Sequence, residues 1–227
     1  MVNRRHNLLR LIVESYIETA EPIGSKFLVS EYSLDMSDAT VRNEMRDLED
    51  AGFLTHPHVS AGRIPTETGY RFYVQELLGP KELSKKIKVN IETLTTENDE
   101  ENIQLKQLGK LIAGEMNSAV VLAFGRNTVY YTGLSNLFSQ PEFQDSTQTV
   151  DVSHIFDECE ENIEEVFEQF DDDFSHIFIG AENPFGGVCS VIGARLPGGK
   201  LLTILGPHRM DYSKGKSLID FIKNQYD

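Results

Sequence analysis

Ala39, Thr40, Arg42, Asn43 and Arg46 fall within eight residues of one another, and their side chains match the edges of nucleic-acid bases. Arginine bonds guanine O6 and N7, asparagine bonds adenine N6 and N7, and alanine or threonine methyls touch thymine. Spacing decides whether they act together. At about 100° per residue, Val41, Met45 and Leu48 centre one side of a helix. Ala39, Asn43, Arg46 and Asp50 then fall on the opposite side, flanked by Thr40 and Arg42. A solvated helix face with ordinary charges has the same pattern, so this segment alone leaves both readings open. Further along, Ser60-Ala61-Gly62-Arg63-Ile64-Pro65-Thr66 puts Arg63 beside a glycine at an expected hairpin tip. A protruding arginine there enters a minor groove or holds a phosphate. Lys26 and Arg71 add candidate backbone contacts. Against this, residues 1–80 hold 8 basic and 12 acidic residues, and Asp47, Glu49 and Asp50 would repel phosphates. Binding must rest on a few well-placed cations, with weak non-specific affinity.

A small helical domain has to position these groups. Leu8, Leu9, Ile12, Val13, Tyr16 and Ile17 recur at helical spacing, and Pro22 and Gly24 end that helix. Ser25 is placed to cap a second helix carrying Phe27, Leu28 and Tyr32. Ser37 is placed to cap the third, and Gly52 stops it. Two short β-prone pieces follow, 53–56 and 62–64, and Pro65-Thr66 opens a fourth helix with Tyr70, Phe72, Tyr73, Val74 and Leu77. This order predicts a winged helix-turn-helix over residues 1–78.

Gly79-Pro80 marks a boundary. Residues 79–112 read as a helical linker, with Leu83, Ile87, Ile91 and Leu94, then Ile103, Leu108 and Leu111, around an exposed turn at 95–102. Residues 113–227 bring strands at 119–124 and 129–132 about Gly125-Arg126-Asn127, then at 177–180, 188–195 and 201–205. Leu196-Pro197-Gly198-Gly199-Lys200 is short enough to demand an antiparallel hairpin. Phe156, Cys159, Ile163, Phe167 and Phe170 share one helical face, and a last helix covers about 214–224. The fold class is therefore α+β, with an antiparallel sheet and helices in the second domain.

The 227 residues carry a net charge of −15. Taken whole, that disfavours nucleic acid. Yet residues 151–173 contain eleven carboxylates and no Lys or Arg, which leaves −4 for the rest and describes one acidic face. The longest apolar run, 119–124, is far below the ~20 residues of a membrane span. Arg10 and Glu14 interrupt the apolar residues near the start, which reads as no secretory signal. Cys159 and Cys189 lack CxxC spacing, so reduced thiols and a cytoplasmic location are expected.

Other motifs carry less. His56-Pro57-His58 has no third ligand nearby and reads as wing-strand side chains rather than a metal pair. Asp171-Asp172-Asp173 lacks the alternation and glycine of a calcium loop. Gly198-Gly199-Lys200 lacks P-loop spacing, and no nucleophile elbow or HExxH occurs. The sequence therefore predicts no enzyme, no metal and no cofactor. Arg209-Met210-Asp211-Tyr212 lies between a strand and a helix, where an Arg209–Asp211 ion pair would brace the junction; the functional alternative is a dimer or sensor contact.

The chain resembles the HrcA-type heat-inducible transcription repressors of bacteria. The resemblance is carried by residues 20–25 (AEPIGS), 37–45 (SDATVRNEM), 48–54 (LEDAGFL), 60–66 (SAGRIPT) and 69–74 (GYRFYV). Downstream, Gly133-Leu134-Ser135-Asn136-Leu137, Pro141-Glu142-Phe143 and 206–212 (GPHRMDY) continue it. The match is dense over 4–78 and patchy but ordered beyond. The resemblance implies a repressor with an N-terminal winged helix and a GAF-like second domain, acting as a homodimer on an inverted-repeat operator in double-stranded DNA upstream of chaperone genes. It also implies the GroEL chaperonin as a partner. Family members usually carry an extra dimerising segment inserted in the GAF-like domain. Here Phe124 reaches Val129 through four residues, so that segment is absent.

The leading reading is a non-enzymatic DNA-binding repressor, in which Asn43, Arg46 and Arg42 read bases, Arg63 works from the wing, and residues 81–227 build the dimer. The apolar stripe of the linker would hold that dimer, unless it packs on its own sheet. The alternatives are a regulator whose GAF-like domain binds a small molecule, expected to show an apolar pocket there, and an interaction module acting through the acidic helix.

Overall fold

The computed structural model describes residues 4–58, 61–96, 100–125, 128–144 and 146–226. Ser60 of the hairpin motif, residues 97–99 of the expected turn, and Arg126 and Asn127 lie outside the described residues. Contacts divide the chain into two units, Met1–Leu78 and Gly79–Asp227.

In the first unit, α1 (Arg4–Thr19) buries Leu8, Leu9, Ile12 and Val13 and ends at Ala20, whose backbone is left-handed. α2 (Ser25–Glu31) and α3 (Asp38–Asp50) follow. Ser37 caps α3: its backbone is extended, and its Oγ accepts the Thr40 N–H at 3.1 Å. Val41, Met45 and Leu48 turn inward onto Leu28 and the α1 stripe to form the core. Gly52 ends α3, and β1 (Leu54–Thr55) pairs antiparallel with β2 (Ile64–Pro65). Thr66 caps α4 (Glu67–Phe72), accepting from Gly69 N–H and donating to the Gly52 carbonyl, and α4 continues as a π-helical turn over Tyr73–Leu77. Ser25 departs from the expected role. Gly24 holds the N-cap position of α2 without a side-chain bond, and the Ser25 hydroxyl donates to Asp38 of α3 instead. A bond between helices has replaced a local cap.

The second unit is a five-stranded sheet between two helical layers. Its strands are β3 (Ala119–Phe124), β4 (Val129–Thr132), β5 (His176–Ile179), β6 (Ser190–Leu196) and β7 (Lys200–Gly206), in the order β4-β3-β7-β6-β5. All neighbours are antiparallel, and Leu196 pairs with Lys200 across the expected hairpin. Alternation sends Val121, Val191, Leu201 and Leu205 to one face and Val120, Leu122 and Ile192 to the other. On the first face lie α7 (Leu134–Phe138), α8 (Ser146–Asp157) and α9 (Cys159–Glu168), with Phe143, Val152, Ile163 and Phe170 closing the core. α5 (Lys85–Thr96), α6 (Glu101–Met116) and α10 (Tyr212–Tyr226) make up the other layer.

Three details differ from the sequence reading. The segment read as a linker packs inside the second unit, with Leu83, Ile87, Ile91 and Leu108 buried. One expected helix is two, because the chain breaks at Glu158 between α8 and α9. Arg209 does not pair with Asp211. Its Nε donates to Glu142 at 2.7 Å, while Asp211 accepts from the Lys214 N–H and pairs with Lys81. A carboxylate at the N-cap position of a helix is better used as a cap for exposed amides than as a partner for a neighbouring arginine.

Among the described residues no helix is long and apolar enough to cross a membrane. Cys159 and Cys189 are free and buried, and burial pushes their thiols up to about 11 and about 12.

Gly193 is where β6 comes closest to its surroundings. A Cβ there would lie 2.6 Å from Thr203 Cγ2 and 2.8 Å from the Leu202 carbonyl oxygen. Thr203 cannot turn away freely, since its Oγ1 donates to the Val121 carbonyl. Gly193→Ala should therefore destabilise the chain by about 1–3 kcal/mol, the scale of overpacking. Urea unfolding of the full chain reads this; an unchanged midpoint would contradict the packing.

Candidate nucleic-acid interface

The solvent side of α3 carries the groups that its sequence promised. Ala39, Arg42, Asn43 and Arg46 are exposed, and Thr40 is half-buried against the Ser37 hydroxyl. Asn43, Arg46 and Lys26 make no hydrogen bond or ion pair with another described residue. Arg42 is held by Asp38, one turn earlier, at 3.1 Å.

The carboxylates of α3 are arranged around that face. Asp38 is met by Ser25 and Arg42. Glu44 is 4% exposed and pairs with Arg4 from the start of α1. Asp47 pairs with Arg5 at 2.6 Å. Glu49 accepts from Arg63 Nε at 2.8 Å and is bonded to His56. Asp50 remains exposed at the end of the helix, away from the N-terminal part that meets bases in helix-turn-helix docking. Of the three carboxylates expected to repel phosphates, two therefore carry a cationic partner.

Arg63 is not the protruding arginine that the sequence predicts. Its backbone is bridged to Ile23, with N–H···O distances of 2.8 and 2.9 Å in the two directions. Gly62 allows that approach: a Cβ would stand 2.5 Å from the Ile23 carbonyl carbon and oxygen. The side chain is drawn down by Glu49 and keeps 22% exposure. It lines a groove of about 410 Å³ together with Lys26, Arg42, Ile23 and Gly24. Three of the eight candidate residues thus converge there, and Ala39, Asn43 and Arg46 share the outward face of α3. Arg71 is not in the groove; it lies on α4 and pairs with Glu67 at 2.9 Å.

Sequence reasoning missed Arg4 and Arg5 as parts of this surface, and it missed the pairing of Glu49 with Arg63 and His56. Glu49 and Arg63 are fourteen residues apart and meet only because the β1–β2 hairpin folds back. The available signal was the run of carboxylates itself, which demands partners from somewhere.

Partial burial pushes the Glu49 carboxyl up, but the hydrogen bond from His56 and the adjacent Arg63 guanidinium outweigh it, so it titrates below its ordinary 4.5. A lowered folded value means that the pair stabilises the fold above the ordinary carboxylate range, and the contribution disappears as pH falls through the lowered value. Glu49→Gln should therefore lower stability at pH 7 by less than about 1 kcal/mol, the scale of a partly exposed pair. The difference from wild type should shrink towards zero on acidification to pH ~3. Urea titrations across that range measure it, and a difference that grew in acid would contradict the assigned pairing.

Comparison with known proteins adds a family. The family model described as the HrcA protein C terminal domain matches residues 71–215, well over half of the chain. The heat-inducible transcription repressor HrcA of Natranaerobius thermophilus is 45% identical over 117 residues, covering 52% of this chain and 30% of that protein. The repressor of the same name from Chloroflexus aggregans is 51% identical over 84 residues, covering 37% of this chain and 22% of that protein. The aligned stretch is thus less than a third of either curated relative's length. A crystal structure of a hypothetical protein superposes with a TM-score of 0.78 at 17% identity, over 100% of this chain and 98% of that one, and so has the same α+β fold. With that domain matched in sequence, this chain belongs to the HrcA family.

Proposed function

We propose that this chain is a cytoplasmic, non-enzymatic transcription repressor that binds an inverted-repeat operator of stress-response genes as a homodimer. Residues 1–78 act as a winged helix-turn-helix, and the sheet of the second unit as a GAF-like regulatory and dimerising domain. The observation that carries this reading is the outward face of α3, where Asn43 and Arg46 have no partner among the described residues while four of the helix's five carboxylates are paired, Asp50 at its end being the exception. The relatives' name, heat-inducible transcription repressor, supplies the class of gene.

On this reading Asn43, Arg46 and Arg42 read base edges, and Ala39 and Thr40 meet thymine methyls. Arg42 must leave Asp38 to do so, a change worth about 0.3–0.5 kcal/mol for an exposed pair one turn apart. Lys26 and Arg63 hold phosphates from the groove, and Arg71 does so from α4. Stress lowers the amount of DNA-competent protein, with GroEL as the partner that restores it. The ligand-sensing alternative calls for an enclosed apolar pocket. The groove beside the β6–β7 turn, about 440 Å³, is open and lined by Arg195, Asp172 and Lys223, and does not favour that alternative.

Duplexes selected from random DNA should yield an inverted repeat bound in preference to random sequence. With ~4–6 phosphate contacts per dimer, log K should fall against log salt with a slope of about −4 to −5. Asn43→Ala and Arg46→Ala should each lose ~1–3 kcal/mol and relax base preference, whereas Arg63→Ala should weaken all sequences alike. Anisotropy titrations measure these effects, and equal binding by all three variants would sink the docking.

The dimer needs a surface other than Leu83, Ile87, Ile91 and Leu108, which are buried within their own unit. Val89, Ile103 and Tyr131 are the exposed apolar candidates on α5, α6 and β4. Sedimentation of the full chain at micromolar concentration should give a dimer. A monomer that still held operator tightly would overturn this part of the reading.

A further inference from the structure

Arg4 and Arg5 are the first described residues of α1. Fixing a side chain as long as an arginine's costs rotamer freedom. Both arginines are nonetheless committed to α3, Arg4 to Glu44 and Arg5 to Asp47, three residues further along the same helix. At about 100° per residue Asp47 stands one turn after Asn43 and roughly 40° round from it. On the DNA-binding reading, its carboxylate then lies within about one helical turn of a phosphate flanking a base read by Asn43.

We infer that Arg5, with Arg4 before it, is a positioning residue for DNA binding: it neutralises Asp47 and holds α3 against α1, and does not itself touch DNA. The inference rests on the DNA-binding reading of α3. An unmatched charge about 9 Å from a phosphate in water repels it by up to roughly twofold in affinity, before salt screening. Over several phosphates and two half-sites the loss compounds to about three- to tenfold. Both members of the Arg5–Asp47 pair are about half exposed, at 52% and 44% of their side chains, so the pair can be removed without stranding a buried charge. The Arg4–Glu44 pair lacks that freedom, because Glu44 is buried.

The test is a double-mutant cycle in the full chain, with affinity for the selected operator measured at several salt concentrations. Arg5→Ala should weaken binding about three- to tenfold at low salt, with a smaller flattening of the salt slope than the loss of a phosphate contact in each half-site gives. Arg5→Lys should retain most of the affinity. Arg5→Ala on an Asp47→Asn background should bind like Asp47→Asn alone, since no carboxylate is then left to neutralise. If Arg5→Ala is equally harmful on both backgrounds and flattens the slope by about 2, Arg5 is a phosphate contact and the inference is overturned. An Arg5→Ala chain that binds like wild type overturns it too. Failure of the wild-type chain to prefer any duplex would instead defeat the DNA-binding reading itself, and this inference with it.

Discussion

A thirteen-residue helix with five carboxylates and two arginines can face a polyanion only if most of its carboxylates are matched where they stand. In α3 the partners arrive from three directions: Arg4 and Arg5 from α1, Arg63 and His56 from the hairpin, and Arg42 with Ser25 at the helix's own start. Each pairing has a second consequence, because the partner belongs to another element. The contacts that adjust the charge of α3 are also those that tie it to α1, α2 and the β1–β2 hairpin. Most are partly exposed, and such pairs add little net stability. The apolar stripe of Val41, Met45 and Leu48 holds the helix down; the ion pairs set its rotation and the field in front of it.

The hairpin follows the same logic with backbone in place of charge. Two hydrogen bonds join Arg63 to Ile23, and no side chain larger than hydrogen fits at Gly62 between them. The residue that the sequence sets at a protruding tip is thereby held by its main chain to the turn before α2 and by its side chain to the end of α3. An arginine fixed at both ends loses less freedom on meeting a phosphate than one waving in solvent. On the proposed DNA-binding reading, the groove it shares with Lys26 and Arg42 is accordingly preformed.

What was legible in the sequence were features written in neighbouring residues. Ser37 and Thr66 cap their helices, Gly52 ends α3, the apolar stripe of α3 faces inward, and Leu196 pairs with Lys200 across a short turn. Each depends on contacts within a few positions. What was not legible depends on elements meeting at a distance. Ser25 has the right type and place for a cap, yet Asp38, thirteen residues on, takes its hydroxyl. Arg63 has the right setting for an exposed tip, yet Glu49 draws it down. The stripe on α5 and α6 has the spacing of an interface, and only the presence of the sheet beside it shows that Ile87, Ile91 and Leu108 are already buried. The candidate DNA-facing residues were found by periodicity, while the residues that make their face electrostatically acceptable were hidden in tertiary pairing.

The second unit contains a parallel case in which two separated motifs prove to be halves of one device. Pro141-Glu142-Phe143 follows α7, and residues 206–212 link β7 to α10. Arg209 spans them, donating to Glu142 at 2.7 Å and to the Gln140 side chain at 3.0 Å, with only 11% of its side chain exposed. Tyr212, fully buried, donates to the His208 carbonyl at 2.6 Å and fixes the turn that aims Arg209. Replacing such a pair with apolar side chains is often neutral for stability, whereas removing one partner strands the other. Net stabilisation is therefore a poor account of Arg209. A better one is that the pair decides which loop lies against which. Phe143, next to Glu142, is seated in the core with Val152 and Phe156 of α8, so the strand-to-helix turn and the α7–α8 connection are set by the same contact. That requirement binds an arginine, a carboxylate and a buried tyrosine across some seventy residues, and it explains why the two motifs have to occur together in one chain.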